Sequence, residues 1–224
     1  MNNHSTVIYL DLDGTLIDVQ EKYCRLHADI ARAMGRQPLP STIYWTLKRR
    51  GTPLPALLGD WEAEARELYS RRWLAAIEAP AYLQFDRLIP GTRKVLSRLS
   101  RRHRLVLATL RRDGRALREQ LQRLGIEGYF AGAVAAGDNP SAGSAKAQLL
   151  RLKGETNGRR AIVVGDSEAD VEAARELGAL MVCVLTGIRD RPFLEALRPD
   201  HIVESVGQLP QLVDQAGRTE RLVV

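Results

Sequence analysis

The second half of the chain alternates short apolar, β-branched runs with stretches of helical periodicity, and this alternation constrains the fold more than any other feature. After Pro90-Gly91 a helix is expected over 92–102, then a strand over 104–109 and a helix over 113–124 that ends at Gly125. A short strand at 133–136 and a helix at 145–153 follow. The run 161–165 reads as a strand, 169–177 as a helix closed by Gly178, and 180–184 as a strand. A last strand at 201–203 precedes a helix at 209–216, and the apolar run 5–10 adds a buried strand at the start. Strands of this kind, separated by helices, belong in a parallel sheet covered on both faces.

Between about residues 19 and 80 the period changes to a helical one, broken by Pro38, Pro40, Gly51, Pro53 and Pro55. That composition predicts an insert of three or four helices. The chain has 224 residues, room for a core domain carrying such an insert. The expected class is α/β: a Rossmann-like three-layer core with a mostly parallel sheet, plus an inserted α-helical cap. The core would comprise 1–17 and 86–224, the cap 18–85. The tail from Gly217 fits either an edge strand or no regular structure.

Composition narrows the setting. No apolar run reaches the roughly 18 to 20 residues that a membrane span needs, and the first residues carry no signal-peptide pattern. Cys24 and Cys183 are far apart and suggest neither a disulfide framework nor a zinc site, which fits reduced thiols and a cytoplasmic location. The net charge of +6 comes largely from arginine, but acidic residues interleave with it along 111–123, the pattern of a solvated helix face. This argues against nucleic acid as partner and for small anionic substrates.

In open parallel sheets, ligands bind beyond the carboxyl ends of the strands. Asp11 follows the first strand, Thr109 ends the second, and Asp166 follows another after Gly165. In Asp11-Leu-Asp13-Gly14, two carboxylates two residues apart leave a strand on the same side, an arrangement that favours a shared cation. Mg²⁺ suits it, since that ion keeps waters and open positions for phosphate. A calcium loop does not, because Gly14 comes too early and position 12 of such a loop would be Lys22. Taken alone, Asp11 could instead cap a turn with Asp13 solvated. Asp166 and Asp170, four apart at a helix start, can face one pocket, although N-capping also accounts for Asp166 or Ser167. A strand-end hydroxyl at Thr109 and a lysine at Lys146 can serve a phosphoryl group.

Together these residues resemble the haloacid dehalogenase superfamily, in its small-cap, phosphoglycolate-phosphatase-like branch. Asp11-Leu-Asp-Gly-Thr-Leu16 is similar to the first motif, Thr109 to the second, Lys146 to the third, and Gly165-Asp-Ser-Glu-Ala-Asp170 to the fourth. The resemblance implies that Asp11 is the nucleophile of a Mg²⁺-dependent phosphatase, forming an aspartyl-phosphate. It implies that Asp13 acts as general acid and then base. Mg²⁺ would be held by the Asp11 and Asp166 carboxylates and the Asp13 carbonyl, with Asp170 in support, while Thr109 and Lys146 hold the phosphoryl oxygens. The presence of Asp13 favours phosphoryl transfer over carbon–halogen cleavage.

Two positions depart from the family pattern. Leu110 stands where small-cap phosphatases often carry Asn, so a contact with phosphate there falls to the backbone. Ala147 replaces a common Pro after Lys146. In the insert, Lys48, Arg49 and Arg50 are candidates for a second anionic group on the substrate, although cations also favour a helix C-terminus. Gly14 completes the substrate-contact set. Tyr44, Trp45, Trp61, Tyr69 and Trp73 recur at roughly helical spacing, which core packing explains, with one of them a candidate for the substrate cleft. A small phosphorylated metabolite is the expected substrate, and a monomer or homodimer the expected state. A sugar-phosphate mutase and a non-catalytic phospho-ligand-binding regulator are the alternatives.

Overall fold

The computed structural model describes residues 6–135 and 160–219. Its strands are β1 (Thr6–Leu10), β2 (Ile17–Asp18), β3 (Arg87–Leu88), β4 (Arg104–Thr109), β5 (Gly132–Ala135), β6 (Arg160–Gly165), β7 (Leu180–Val184) and β8 (His201–Val203). All five residues of β1 are buried, so that strand needs a neighbour on each edge and cover on each face. It is flanked in parallel by β4 and β6, and the sheet extends in the order β5-β4-β1-β6-β7-β8 with every pairing parallel.

Alternate side chains split the core into two layers. Ile8, Leu10, Leu107, Ile162 and Val182 face one side, and Val7, Tyr9, Val106, Val163 and Met181 the other. Helices α6 (Thr92–Ser100), α7 (Gly114–Leu124) and α10 (Leu209–Thr219) send Leu96, Leu121 and Leu209 into the first layer. Helices α8 (Glu168–Leu177) and α9 (Arg191–Ala196) send Val171 and Leu194 into the second. The sheet is therefore sandwiched as its apolar strands require. Strands β4, β7 and β8 begin and end where the sequence pattern places them. The helix expected at 145–153, with Lys146, lies outside the described residues.

The insert holds five helices rather than three or four: α1 (Gln20–Ala33), α2 (Ser41–Arg49), α3 (Leu54–Leu58), α4 (Ala63–Ala76) and α5 (Pro80–Leu83). The extra ones are short, and each has a proline in its first turn, where a missing N–H costs nothing: Pro55, read in the sequence as a break, and Pro80, read as the end of the helical stretch. An aromatic cluster fills the insert. Tyr23 meets Trp73 edge-on at 5.2 Å, and Tyr44 stacks on His27 at 4.2 Å. The Leu39 N–H donates to His27 Nε2, which puts the neutral ring's proton on Nδ1 and towards the Tyr69 hydroxyl at 3.0 Å. Burial lowers the His27 pKa to about 4, so the ring stays neutral near pH 7.

Two further elements escaped the sequence pattern. One is α9, capped where Asp190 accepts from the Phe193 N–H. The other is the antiparallel pair β2–β3, which joins Ile17 to Leu88 and Asp18 to Arg87 at the root of the insert. Two-residue strands carry too little period to be read from sequence.

Candidate active site

The sheet grows from β1 towards β4 and β5, and then back past β1 towards β6, β7 and β8. Such a reversal opens a crevice beyond the carboxyl ends of the central strands. Asp11 stands there, its N–H still bonded to the Val164 carbonyl at 2.9 Å. Asp166 is the first residue after β6, and Asp170 lies in the first turn of α8. Oxygens of the three carboxylates come within 4.8 Å of one another, and all three residues are buried.

Two glycines make the convergence possible. Gly14 has φ +82°, and a Cβ there would stand 2.4 Å from Asp166 Oδ2. A Cβ at Gly165 would meet Asp170 Cγ at 2.0 Å. Hydrogen bonds then fix the carboxylates: the Ile188 N–H donates to Asp166 at 2.5 Å, and Ser167 donates to Asp170 through its N–H at 3.1 Å and its hydroxyl at 2.7 Å. Asp170 is thus completely buried at the cluster, closer in than the supporting place the resemblance implies. Three buried carboxylates around one point suit a hard divalent cation, and the donor set is all oxygen. Asp13 is not in that cluster by its side chain.

The cleft in front of Asp11 encloses about 230 Å³. Asp11, Asp13, Thr109, Leu110 and Asp166 form its floor, and Tyr23, Trp73, Ile77 and Glu78 of the insert form its roof. Trp73 is therefore both a packing residue and a wall of the cleft. Thr109 Oγ1 accepts from the Arg111 N–H at 3.3 Å, which leaves its hydroxyl proton available to an anion in the cleft. The Glu78 carboxylate accepts from the backbone N–H groups of Arg112 and Asp113 at 3.0 and 2.9 Å, tying the insert to the loop after β4.

Asp13 is gripped by residues the sequence did not single out. Arg111 reaches it bidentately at 2.6 and 2.7 Å, and Lys22 Nζ donates to it at 2.8 Å. Burial pushes the Asp13 carboxyl up, but the two cations outweigh this and hold it well below the usual carboxylate range. Behind it lies Asp86, fully buried, which accepts from Lys22 at 2.9 Å, Arg111 at 3.2 Å and Gln120 at 2.6 Å. Burial raises the Asp86 carboxyl, and neighbouring Asp13 adds to this, against the pull of Lys22 and Arg111. Lys22 and Asp86 are 64 residues apart, and in an arginine-rich chain neither carries a local signature.

The three cationic candidates of the insert part company. Arg49 does not line the cleft: its guanidinium donates to the Leu185 carbonyl at 2.7 Å and the Arg189 carbonyl at 3.2 Å, fastening α2 to the loop after β7. Arg50 is exposed at the helix end and also stays outside. Lys48 lines a neighbouring cavity. Gly14 serves through the close approach of Asp166 rather than as a wall of the cleft.

Comparison with known proteins agrees with this geometry. The family model of the haloacid dehalogenase-like hydrolases matches residues 6–178. The phosphoglycolate phosphatase of Synechococcus elongatus is 32% identical over 215 residues, covering 94% of this chain and 98% of that protein. The phosphoglycolate phosphatase of Neisseria meningitidis is 28% identical, covering 94% of this chain and 93% of its own. A haloacid dehalogenase-like family hydrolase from Streptococcus pneumoniae superposes with a TM-score of 0.75 at 21% identity, covering 95% of this chain and 100% of that one. A subfamily IA hydrolase of the same superfamily from Geobacter sulfurreducens gives 0.64 at 23% identity, covering 94% and 98%. No helix among the described residues is long and apolar enough to cross a membrane. This chain belongs to the haloacid dehalogenase-like hydrolases and groups there with the phosphatases.

Proposed function

We propose that this protein is a Mg²⁺-dependent phosphatase that hydrolyses a small phosphomonoester through a phosphoryl group carried on Asp11. The observation that carries the reading is the convergence of the Asp11, Asp166 and Asp170 carboxylates, with Asp11 and Asp166 on the floor of a cleft of about 230 Å³. Residues 18–85 act as its cap over a core of 1–17 and 86–224, a division supported by the β2–β3 pair at the boundary.

The carboxylates of Asp11, Asp166 and Asp170 would hold Mg²⁺, with the Asp13 carbonyl completing the set the family resemblance implies. The bound ion supplies charge neutralisation at the phosphoryl oxygens. An Asp11 oxygen attacks phosphorus in line and the alkoxide departs. The Thr109 hydroxyl and the Leu110 N–H donate to phosphoryl oxygens, and the apolar Leu110 side chain acts as wall. Lys146, the third-motif residue, adds positive charge to the same phosphoryl group. Held as a carboxylate, Asp13 is ready to take a proton from the water that hydrolyses the intermediate. To protonate the leaving oxygen it must first carry a proton, which requires Arg111 to release it. A substrate that draws Arg111 away would leave Lys22 as the one cation on Asp13 and let the carboxylate take up a proton from solvent before it passes that proton to the leaving oxygen.

The test is phosphate release from a panel of phosphomonoesters with and without Mg²⁺. Activity lost in Asp11→Asn is expected. Isomer formation without free phosphate would identify a mutase instead, and ligand binding with no turnover a regulator.

A further inference from the structure

Beside the cleft in front of Asp11 lies a second cavity of about 300 Å³, half open to solvent, between α2, α3 and α4. Its walls are mostly apolar, Tyr44, Leu54, Leu57, Tyr69 and Trp73, with Thr52, Ser70 and the Lys48 side chain among them. Trp73 and Leu74 line both cavities, and Leu74 is 53% exposed, so the two open past one low wall.

Lys48 stands at the junction. Its ammonium lies 5.7 Å above the ring of Tyr23, itself part of the roof over Asp11. Among the described residues that ammonium has no hydrogen-bond or ion-pair partner, whereas the neighbouring arginines Arg49 and Arg189 donate to carbonyls and to Glu168. Burial and the charge of Arg189 lower its pKa, as expected of a cation kept out of bulk water. An apolar slot with one desolvated cation at its mouth selects a flat hydrocarbon body bearing an anionic or strongly accepting group. A two-carbon alcohol would leave this space empty.

We propose that the insert cavity is the leaving-group subsite, and that the substrates are phosphomonoesters whose alcohol half is a ring-sized, largely apolar group bearing a carboxylate for Lys48. The inference rests on the phosphatase reading and adds to it the nature of the ester. The phosphoryl group would sit at Asp11 and the chain would pass over Leu74 to reach the ring site.

The experiment compares phosphoglycolate, benzyl phosphate and 4-carboxybenzyl phosphate, which all release a primary alkoxide. The wild type is expected to show a KM for 4-carboxybenzyl phosphate at least tenfold below that for phosphoglycolate. Ser70→Trp, which fills the cavity, should raise the KM ratio of 4-carboxybenzyl phosphate to phosphoglycolate at least tenfold. Lys48→Met should erase most of the preference for the carboxylated over the plain benzyl ester. Equal or tighter use of phosphoglycolate by the wild type overturns the subsite, as does an unchanged ratio in a folded Ser70→Trp. Should Ser70→Trp fail to fold, Thr52→Trp takes its place and the wild-type comparison stands by itself. A wild type that hydrolyses none of the three, nor any ester of a wider panel, overturns the phosphatase reading instead.

Discussion

Two clusters of buried charge lie side by side in this molecule and are built on opposite principles. At the sheet rim, Asp11, Asp166 and Asp170 gather negative charge around one point. At the root of the insert, Asp13 and Asp86 are interleaved with Lys22 and Arg111, so that the protein supplies its own counter-charges. The first arrangement suits an ion from solution, and the second suits permanence. Asp13 joins the two, since it leaves the same strand as Asp11 while its side chain is held by Lys22 and Arg111.

The largest effect should come from breaking the rim. Asp11→Asn is expected to lower kcat on the order of 10⁴-fold or more in a phosphate-release assay, with the fold retained by circular dichroism. Breaking the root should instead cost stability. Asp86→Leu leaves two buried cations, Lys22 and Arg111, with Asp13 as their one shared carboxylate, and should destabilise the protein by about 3–5 kcal/mol in urea unfolding. A loss below about 1 kcal/mol would mean that the root cluster is not closed to water.

Metal linkage sharpens the contrast. Mg²⁺ should raise the Tm of the wild type, by an increment that grows with its concentration. Asp166→Asn should abolish that increment. Asp86→Asn should start from a lower Tm and keep it; its loss in both variants would show that the clusters act as one. A smaller effect is expected at Arg49→Ala, which removes two hydrogen bonds between α2 and the loop after β7: a loss of roughly 1 kcal/mol.

A pH-dependent effect lies in the insert and is absent near pH 7. His27 has a folded pKa of about 4 against an ordinary 6.5, so between those values the unfolded chain binds more protons. Stability should therefore fall as pH drops from 6.5 towards 4. His27→Gln should flatten that part of the slope in urea unfolding at a series of pH values, and an unchanged slope would assign it to other groups.

The rim was legible in the sequence and the root was not, for a physical reason. Asp11 and Asp166 sit immediately after apolar strands, Asp170 follows one helical turn later, and Gly14 and Gly165 mark the close approach, so local pattern points to them. Lys22, Asp86 and Gln120 meet across long separations, and each taken singly looks like a solvated helix or loop residue. Arg111 was visible only as part of a basic run after Thr109. Lys48 was picked out with Arg49 and Arg50 as one group, because charge alone cannot say which face of α2 each occupies. Pro55 misled in the other direction, since a proline that ends one helix and a proline that begins the next look alike until the turn is seen.

The two short strands β2 and β3 carry a consequence for descent as well as for mechanics. By pairing Ile17 with Leu88, they bring the entry and the exit of a seventy-residue excursion to within one strand spacing, about 4.8 Å. The strand order of the sheet needs nothing from the excursion except that its ends meet. Any other self-contained unit with adjacent termini could be spliced between the same two residues without rerouting a single strand of the sheet. The neck is thus a socket that fixes where an insert joins the sheet and leaves open which insert joins it.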